Sequence, residues 1–228
     1  MHIGLIGGIG AAATVVYYQR LCAEMARRSA KLDLTIVQAD IQTLIANNLA
    51  DRRQAQAEVF APLLHRLKAA GADCAAITSL GGHFCFYETL ALSPLPLVSA
   101  VEPLDTYFAE NGIRRIGLLG TRVVMRTRLF GQLTKTEAVA RDDEIETLGQ
   151  AYQEVAVAGV CTDVQRQLFI SAGRRMVKDQ GADAVVLAGT DLNLAFDGQE
   201  TGYPVIDALD IHVGILADLA AGTKSLPG

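Results

Sequence analysis

Two short polar loops carry the side chains best suited to chemistry. Thr78 and Ser79 lie in the run GADCAAITSLGGH, residues 71–83, and Thr190 and Asp191 lie in GADAVVLAGTDLNL, residues 181–194. Each run opens on Gly-Ala-Asp after a helix-like stretch, continues as a short apolar strand and then turns small and polar. Hydroxyls and backbone N–H groups in such loops bind a carboxylate without any net positive charge. Asp191 becomes a candidate base if desolvation raises its pKa toward neutrality. An Asx turn or a cap accounts for the same residue equally well.

The other chemically capable residues are weaker candidates. Gly8-Ile9-Gly10-Ala11-Ala12-Ala13 satisfies the GxGxxA form of a dinucleotide fingerprint, with Asp40 as its ribose-binding acid. Asp40 follows Ala13 by 27 residues, which is long beside the roughly 20 expected. A tight strand-to-helix turn at a ligand cleft is the simpler reading. His83 follows the Ser79-Leu80-Gly81-Gly82 loop, yet a lone histidine at a helix start is more often structural. His65 falls on an amphipathic helix, His212 at the start of the last helix, and His2 at the terminus. No His, Cys or acidic pair has metal spacing, so no metal is expected. There is no G-x-S-x-G elbow.

Positioning these loops takes alternating strands and helices. Apolar runs ending in glycine or polar residues predict strands over 2–8, 34–39, 74–78, 115–120 and 183–187, with short extended pieces over 95–100 and 203–206. Helical spacing predicts helices over 11–30 (Val15, Tyr18, Leu21, Cys22, Met25), 52–70 (Val59, Phe60, Leu63, Leu64, Leu67) and 162–180 (Val164, Leu168, Phe169, Ala172, Met176). Further helices are expected over 101–111, 127–134 and 211–221, while the acidic stretch 142–152 shows no clear period. The class is α/β with parallel sheets. An internal repeat sharpens it: GLIGG at Gly4 matches GLLGT at Gly117, and GADCAAIT at Gly71 matches GADAVVLA at Gly181, spaced 67 and 64 residues apart. Two halves follow, residues 1–100 with 208–228 and residues 101–207, with the paired loops facing one cleft.

Composition narrows the function. The 228 residues suffice for sizeable cores. A net charge of -5 gives no basic footprint, so nucleic acid is not an expected partner. The four cysteines form no CxxC pair, which favours a reducing cytoplasm over a disulfide framework. The start MHIGLIGG lacks the marks of a signal peptide, and no stretch of about 20 apolar residues predicts a membrane span.

Taken together, these motifs resemble the aspartate/glutamate racemase superfamily over nearly the whole chain. GLIGGIGAAATVVYY is similar to that family's GLIGGMxxExTxxYY opening, and GLLGTRVVM to its GLLGTxxTM. The first loop is similar to the segment ending C-x-N-T-x-H, the second to G-C-T-E-L, and VIDALDIH to the closing FDTxxIHA. The resemblance implies two Rossmann-like α/β domains related by pseudo-twofold symmetry, an active site between them, cofactor-independent chemistry and a homodimer. Carried over residue by residue, it places the catalytic groups at Thr78, Gly189 and Asp191. Substrate-binding groups fall at Gly8, Ile9, Gly10, Ser79, Leu80, Gly81, Thr121 and Thr190.

The departures from that pattern govern the chemistry. Thr78 and Gly189 stand where the family has its two catalytic cysteines, and Leu80-Gly81 replaces the Asn-Thr that holds substrate. Ala12 replaces the opening Glu, and Asp191 the Glu after the second cysteine, while Thr190 keeps the intervening Thr. Two-base racemisation needs a group on each face of the α-carbon. A thiol with a pKa of about 8.5 suits this task, a threonine hydroxyl is a far weaker base unless activated, and glycine offers no side chain. Three functions therefore stand: an isomerase-family enzyme on a small amino acid or carboxylate with altered catalytic groups, a lyase or decarboxylase on the same scaffold, or a non-catalytic binder of a small carboxylate.

Overall fold

Strands β1 (His2–Gly7), β2 (Asp33–Gln38), β3 (Cys74–Ile77) and β4 (Leu97–Val98) pair in parallel in the order β2-β1-β3-β4. Strands β5 (Arg115–Gly120), β6 (Glu137–Val139), β7 (Ala184–Ala188) and β8 (Val205–Asp207) repeat that order as β6-β5-β7-β8. Between them run α1 (Ala11–Arg27), α2 (Ile41–Leu49), α3 (Arg53–Ala69), α4 (Phe86–Leu92), α5 (Glu102–Glu110), α6 (Arg122–Arg126), α7 (Ile145–Ala158), α8 (Asp163–Gln180), α9 (Asn193–Phe196) and α10 (Ala208–Ala221). This is a computed structural model, and it describes residues 1–8 and 10–226. The chain divides into two units, Met1–Ala100 with Leu209–Gly228, and Val101–Ala208.

In the first unit, strand alternation sends Ile3, Leu5, Cys74 and Ala76 into one core with Tyr17, Leu21 and Met25 of α1 and Leu209, Val213 and Leu216 of α10. Arg20 with Asp210 and Arg28 with Asp218 tie α1 to α10 at 2.6 and 2.7 Å. Gly4 faces the other way, onto Leu67 of α3. In the second unit Gly117 meets Met176 of α8 in the same manner.

The repeated Gly-Ala-Asp now has a mechanical meaning. Gly71 and Gly181 take φ of +88° and +67°, the left-handed conformation that ends α3 and α8. The aspartate that follows grips the start of the neighbouring strand. Asp73 Oδ2 accepts from His2 N at 2.7 Å, while Asp73 N donates to the His2 carbonyl. Asp183 Oδ2 accepts from Arg114 N and Arg115 N, both at 2.9 Å, while Asp183 N donates to the Arg115 carbonyl. Those backbone donors hold the Asp183 carboxyl below its ordinary pKa.

The structure corrects several sequence expectations. On α1 the buried face carries Tyr17, Leu21 and Met25, while Val15 and Tyr18 are 53% and 49% exposed. A YY pair fits two adjacent registers, and the packing with His212 selects Tyr17. On α8, Phe169, Ile170 and Met176 are buried and Val164 is 81% exposed. The helix expected over 127–134 is replaced by α6 and a turn in which Arg128, Leu129 and Phe130 have φ of 52°, 58° and 62°. The stretch 142–152 leads into α7, whose buried positions Ile145, Leu148, Tyr152 and Val155 have helical spacing that emerges only when the window extends to Ala158. Asp40 accepts from Thr43 N at 2.8 Å and is the N-cap of α2, a helix not anticipated; this role replaces the ribose-binding one.

Asp105 fixes the approach to β6. Its buried carboxylate accepts from the backbone N–H groups of Thr134, Lys135 and Thr136 and from the Thr134 hydroxyl. Burial alone would raise its pKa, and these donors outweigh burial and lower it. Asp105→Ala orphans all of them and is expected to cost about 2–3 kcal/mol, read as a Tm fall of about 4–12 °C. An unchanged Tm would mean that the segment before β6 holds without this carboxylate.

Candidate functional site

A parallel sheet in the order 2-1-3-4 reverses its winding between its first and third strands, and α/β proteins bind ligands outside the carboxyl ends of those two strands. In the first unit that crevice is bordered by Gly8 and Gly10 after β1 and by Thr78, Ser79, Leu80 and Gly81 after β3. In the second it is bordered by Thr121 after β5 and by Gly189, Thr190 and Asp191 after β7. Ile9 lies outside the described residues.

The first crevice is tightly bonded. Thr78 is fully buried; its hydroxyl donates to the Ile6 carbonyl at 3.2 Å and accepts from Thr14 Oγ1 at 2.8 Å. Ser79 sits against Gly8, where a Cβ would collide with the serine's own Cβ. Leu80 is buried, and the Gly81 carbonyl accepts from Asn48 Nδ2 of α2 at 2.9 Å. Gly10 is the extended N-cap residue of α1 and brings no capping side chain.

His83 is a structural strut here. Its Nε2 accepts from Ala100 N at 3.0 Å, so the network assigns the proton to Nδ1, which donates to the Ser79 carbonyl at 2.9 Å. The ring stacks on Phe86 and meets His212 edge-on, with centroids 5.5 and 6.2 Å away. His212 Nδ1 bonds the Tyr17 hydroxyl at 2.8 Å. Burial lowers His83 to about 4, and burial with the neighbouring His83 lowers His212 to about 3, so both are neutral at pH 7. The nearby thiols are inert. Cys85 bonds toward Gly82 and Thr89 and is pushed by burial to about 12, and burial raises Cys74 to about 11.

The second crevice is organised by a residue that sequence reasoning did not single out. Tyr152 of α7 donates to Asp191 Oδ2 at 3.1 Å, and both side chains are buried. Burial first, then the Asp191 charge, raises the phenol well above its ordinary pKa. Thr190 Oγ1 and Asn193 Oδ1 are buried on the same loop without a hydrogen-bond partner among the described residues. Thr121 is the N-cap of α6, its oxygen accepting from Val124 N at 3.2 Å. Among the described residues no group of three or more His, Cys, Asp or Glu is placed to hold a metal ion, and no helix is long and apolar enough to cross a membrane.

The family model for Asp/Glu/hydantoin racemase matches residues 6–216. The chain belongs to that family. Solved structures agree on the fold. A protein from Yersinia pestis described as a candidate Asp/Glu racemase superposes with a TM-score of 0.78 at 24% identity, covering 96% of this chain and 99% of its own. An aspartate racemase homologue from Pyrococcus horikoshii gives 0.75 at 23% identity over 96% and 98%. The Picrophilus torridus aspartate racemase gives 0.73 at 18% identity over 100% and 96%.

Of the positions that the sequence resemblance matched to cysteines, 78 carries a threonine and 189 a glycine. The Thr78 hydroxyl is bonded to a carbonyl and to another hydroxyl, and His83 has both ring nitrogens engaged elsewhere. Thr14 and Asn48 joined the first loop through tertiary hydrogen bonds that no short motif advertises.

Acid titration reports on the buried histidine pair. Each folded pKa lies below the ordinary 6.5, so the unfolded chain takes up protons first as pH falls. The stabilisation is full above pH 6.5 and is lost on acidification through about 4 and about 3. At pH 5 the loss amounts to about 2 kcal/mol for each histidine. Denaturation measured from pH 7 to 5 is expected to show this slope, and His83→Asn and His212→Asn are each expected to flatten it. A slope unaffected by either substitution would contradict the burial of neutral imidazoles.

Proposed function

We propose that this racemase-family protein binds a small amino acid or related carboxylate at its switch-point loops, independently of a cofactor, and does not carry out two-cysteine racemisation. The observation that carries the reading is the state of Thr78 and Gly189. One offers a hydroxyl with no activating base in its hydrogen bonds, and the other offers no side chain. The family match and the aspartate racemase folds support a small amino-acid-like ligand. The groups proposed to hold it are backbone N–H groups with the Ser79 hydroxyl in the first unit's crevice, shaped by Gly8, Gly10, Leu80 and Gly81, and the Thr190 hydroxyl in the second unit's, beside Thr121. Thr78 and Asp191 are buried, so ligand entry requires the loops to open. A cytoplasmic homodimer completes the proposal, each chain made of two α/β halves, residues 1–100 with 208–228 and residues 101–207.

A second reading, one-base proton transfer as in a lyase or decarboxylase, is favoured by a single observation: Asp191 is a buried carboxylate at a switch point with one oxygen held by a hydrogen bond.

Incubating each enantiomer of aspartate and glutamate in D₂O, while following α-proton exchange and optical rotation, separates these readings. Losing one general acid or base typically costs about 10²–10⁴-fold, and effects within a catalytic unit do not simply multiply. No appreciable inversion is expected, while a binding amino acid or dicarboxylate should raise Tm by mass action. Exchange without inversion would favour the one-base reading. Rapid inversion abolished by thiol alkylation would overturn the proposal.

A further inference from the structure

We infer that Tyr152 sets the chemistry of the second loop: its ring takes the room that a side chain at position 189 needs, and its hydroxyl holds the Asp191 carboxylate. The inference deepens the reading above, since it rests on that loop belonging to the ligand site.

A Cβ built on Gly189 would lie 2.8 Å from Tyr152 Cζ and closer still to Cε2. Carbon atoms without a bond between them settle at about 3.5–4.0 Å. Gly120 Cα also stands 3.0 Å from the same point. The side chain that position 189 lacks has therefore left no cavity. An aromatic ring takes its room, with backbone close by.

Nor can the ring simply swing aside. Tyr152 is anchored on the buried face of α7 with Leu148 and Val155. Moving it breaks the 3.1 Å bond between two buried side chains, Tyr152 and Asp191, which costs stability. The phenol stays protonated at working pH because burial and the Asp191 charge both oppose its ionisation. It is thus a permanent donor and never a base. The group this loop presents is a carboxylate oriented by a phenol, and a thiol cannot be regained at 189 by one substitution.

Two mutant cycles read by thermal denaturation test this. Gly189→Ala is expected to lower Tm by about 4–10 °C in the native chain. In a Tyr152→Leu background, which lacks the Cε and Cζ atoms, the same substitution should cost less than half as much. Tyr152→Phe keeps the ring and removes the donor. It should lower Tm in the native chain and also beside Asp191→Asn, whose amide oxygen still accepts. Beside Asp191→Ala, where that acceptor is gone, it should cost less. If Tyr152→Leu does not fold, the Tyr152→Phe cycle decides alone. Equal costs of Gly189→Ala in both backgrounds, or of Tyr152→Phe beside Asp191 and beside Asp191→Ala, would overturn the inference. Aspartate and malonate added to the same samples keep the two readings apart: couplings intact with no ligand response would uphold the Tyr152 assignment and count against ligand binding, while a ligand response with additive costs would do the reverse.

Discussion

Everything in each unit hangs on the central strand and the aspartate that holds its first residues. Asp73 holds β1 through His2, and Asp183 holds β5 through Arg114 and Arg115. A parallel strand buried on both faces has little side-chain polarity to fix its register. A carboxylate bound to its leading N–H groups supplies that register at one end. The register then fixes where the strand stops at the other end, and with it the height of the loops at the switch points. The left-handed glycine before each aspartate lets the preceding helix end directly beside the strand it serves. The three residues Gly-Ala-Asp thus do one job twice.

This explains why the fold was so legible. Strand runs, glycine stops and the repeat are local signals, and they coincide with β1, β3, β5 and β7. What escaped was whatever depended on partners distant in sequence. Nothing local distinguishes Tyr17 from Tyr18 as the buried member of the pair; the hydrogen bond to His212, 195 residues away, does. β6 is short and partly exposed, so its sequence lacks a strong apolar run, and Asp105 from α5, on the far side of β5 in the chain, holds the segment that leads into it. The turn at Arg128–Phe130 escaped for the opposite reason. Its residues take left-handed φ values that their types disfavour, so propensity pointed to a helix.

The candidate site was legible only as a set of positions. The loops, and the two positions that the family resemblance matches to cysteines, can be read from the chain. Which groups are engaged cannot, because a hydroxyl's role depends on its partners. Thr78 looks like a possible catalytic alcohol in sequence and is a bridge between Ile6 and Thr14 in the fold. His83 looks like a possible base and is a doubly bonded strut between the first loop and Ala100. Asp191, by contrast, keeps its interest, because the Tyr152 hydroxyl donates to one of its carboxyl oxygens and so orients the group.

The two positions that the family resemblance matches to its cysteines are occupied in physically different ways. At position 78 the replacement is close in size to a cysteine, and its oxygen is absorbed into hydrogen bonds that sulfur, a weak donor and acceptor, would make poorly. At position 189 the side chain is gone and the room belongs to an aromatic ring from another helix. A side chain lost without repacking leaves a cavity that costs stability in proportion to its volume, whereas the Tyr152 ring occupies the room at 189. A thiol placed at 189 would have to displace that ring, and one placed at 78 would have to replace the two hydrogen bonds of the Thr78 hydroxyl.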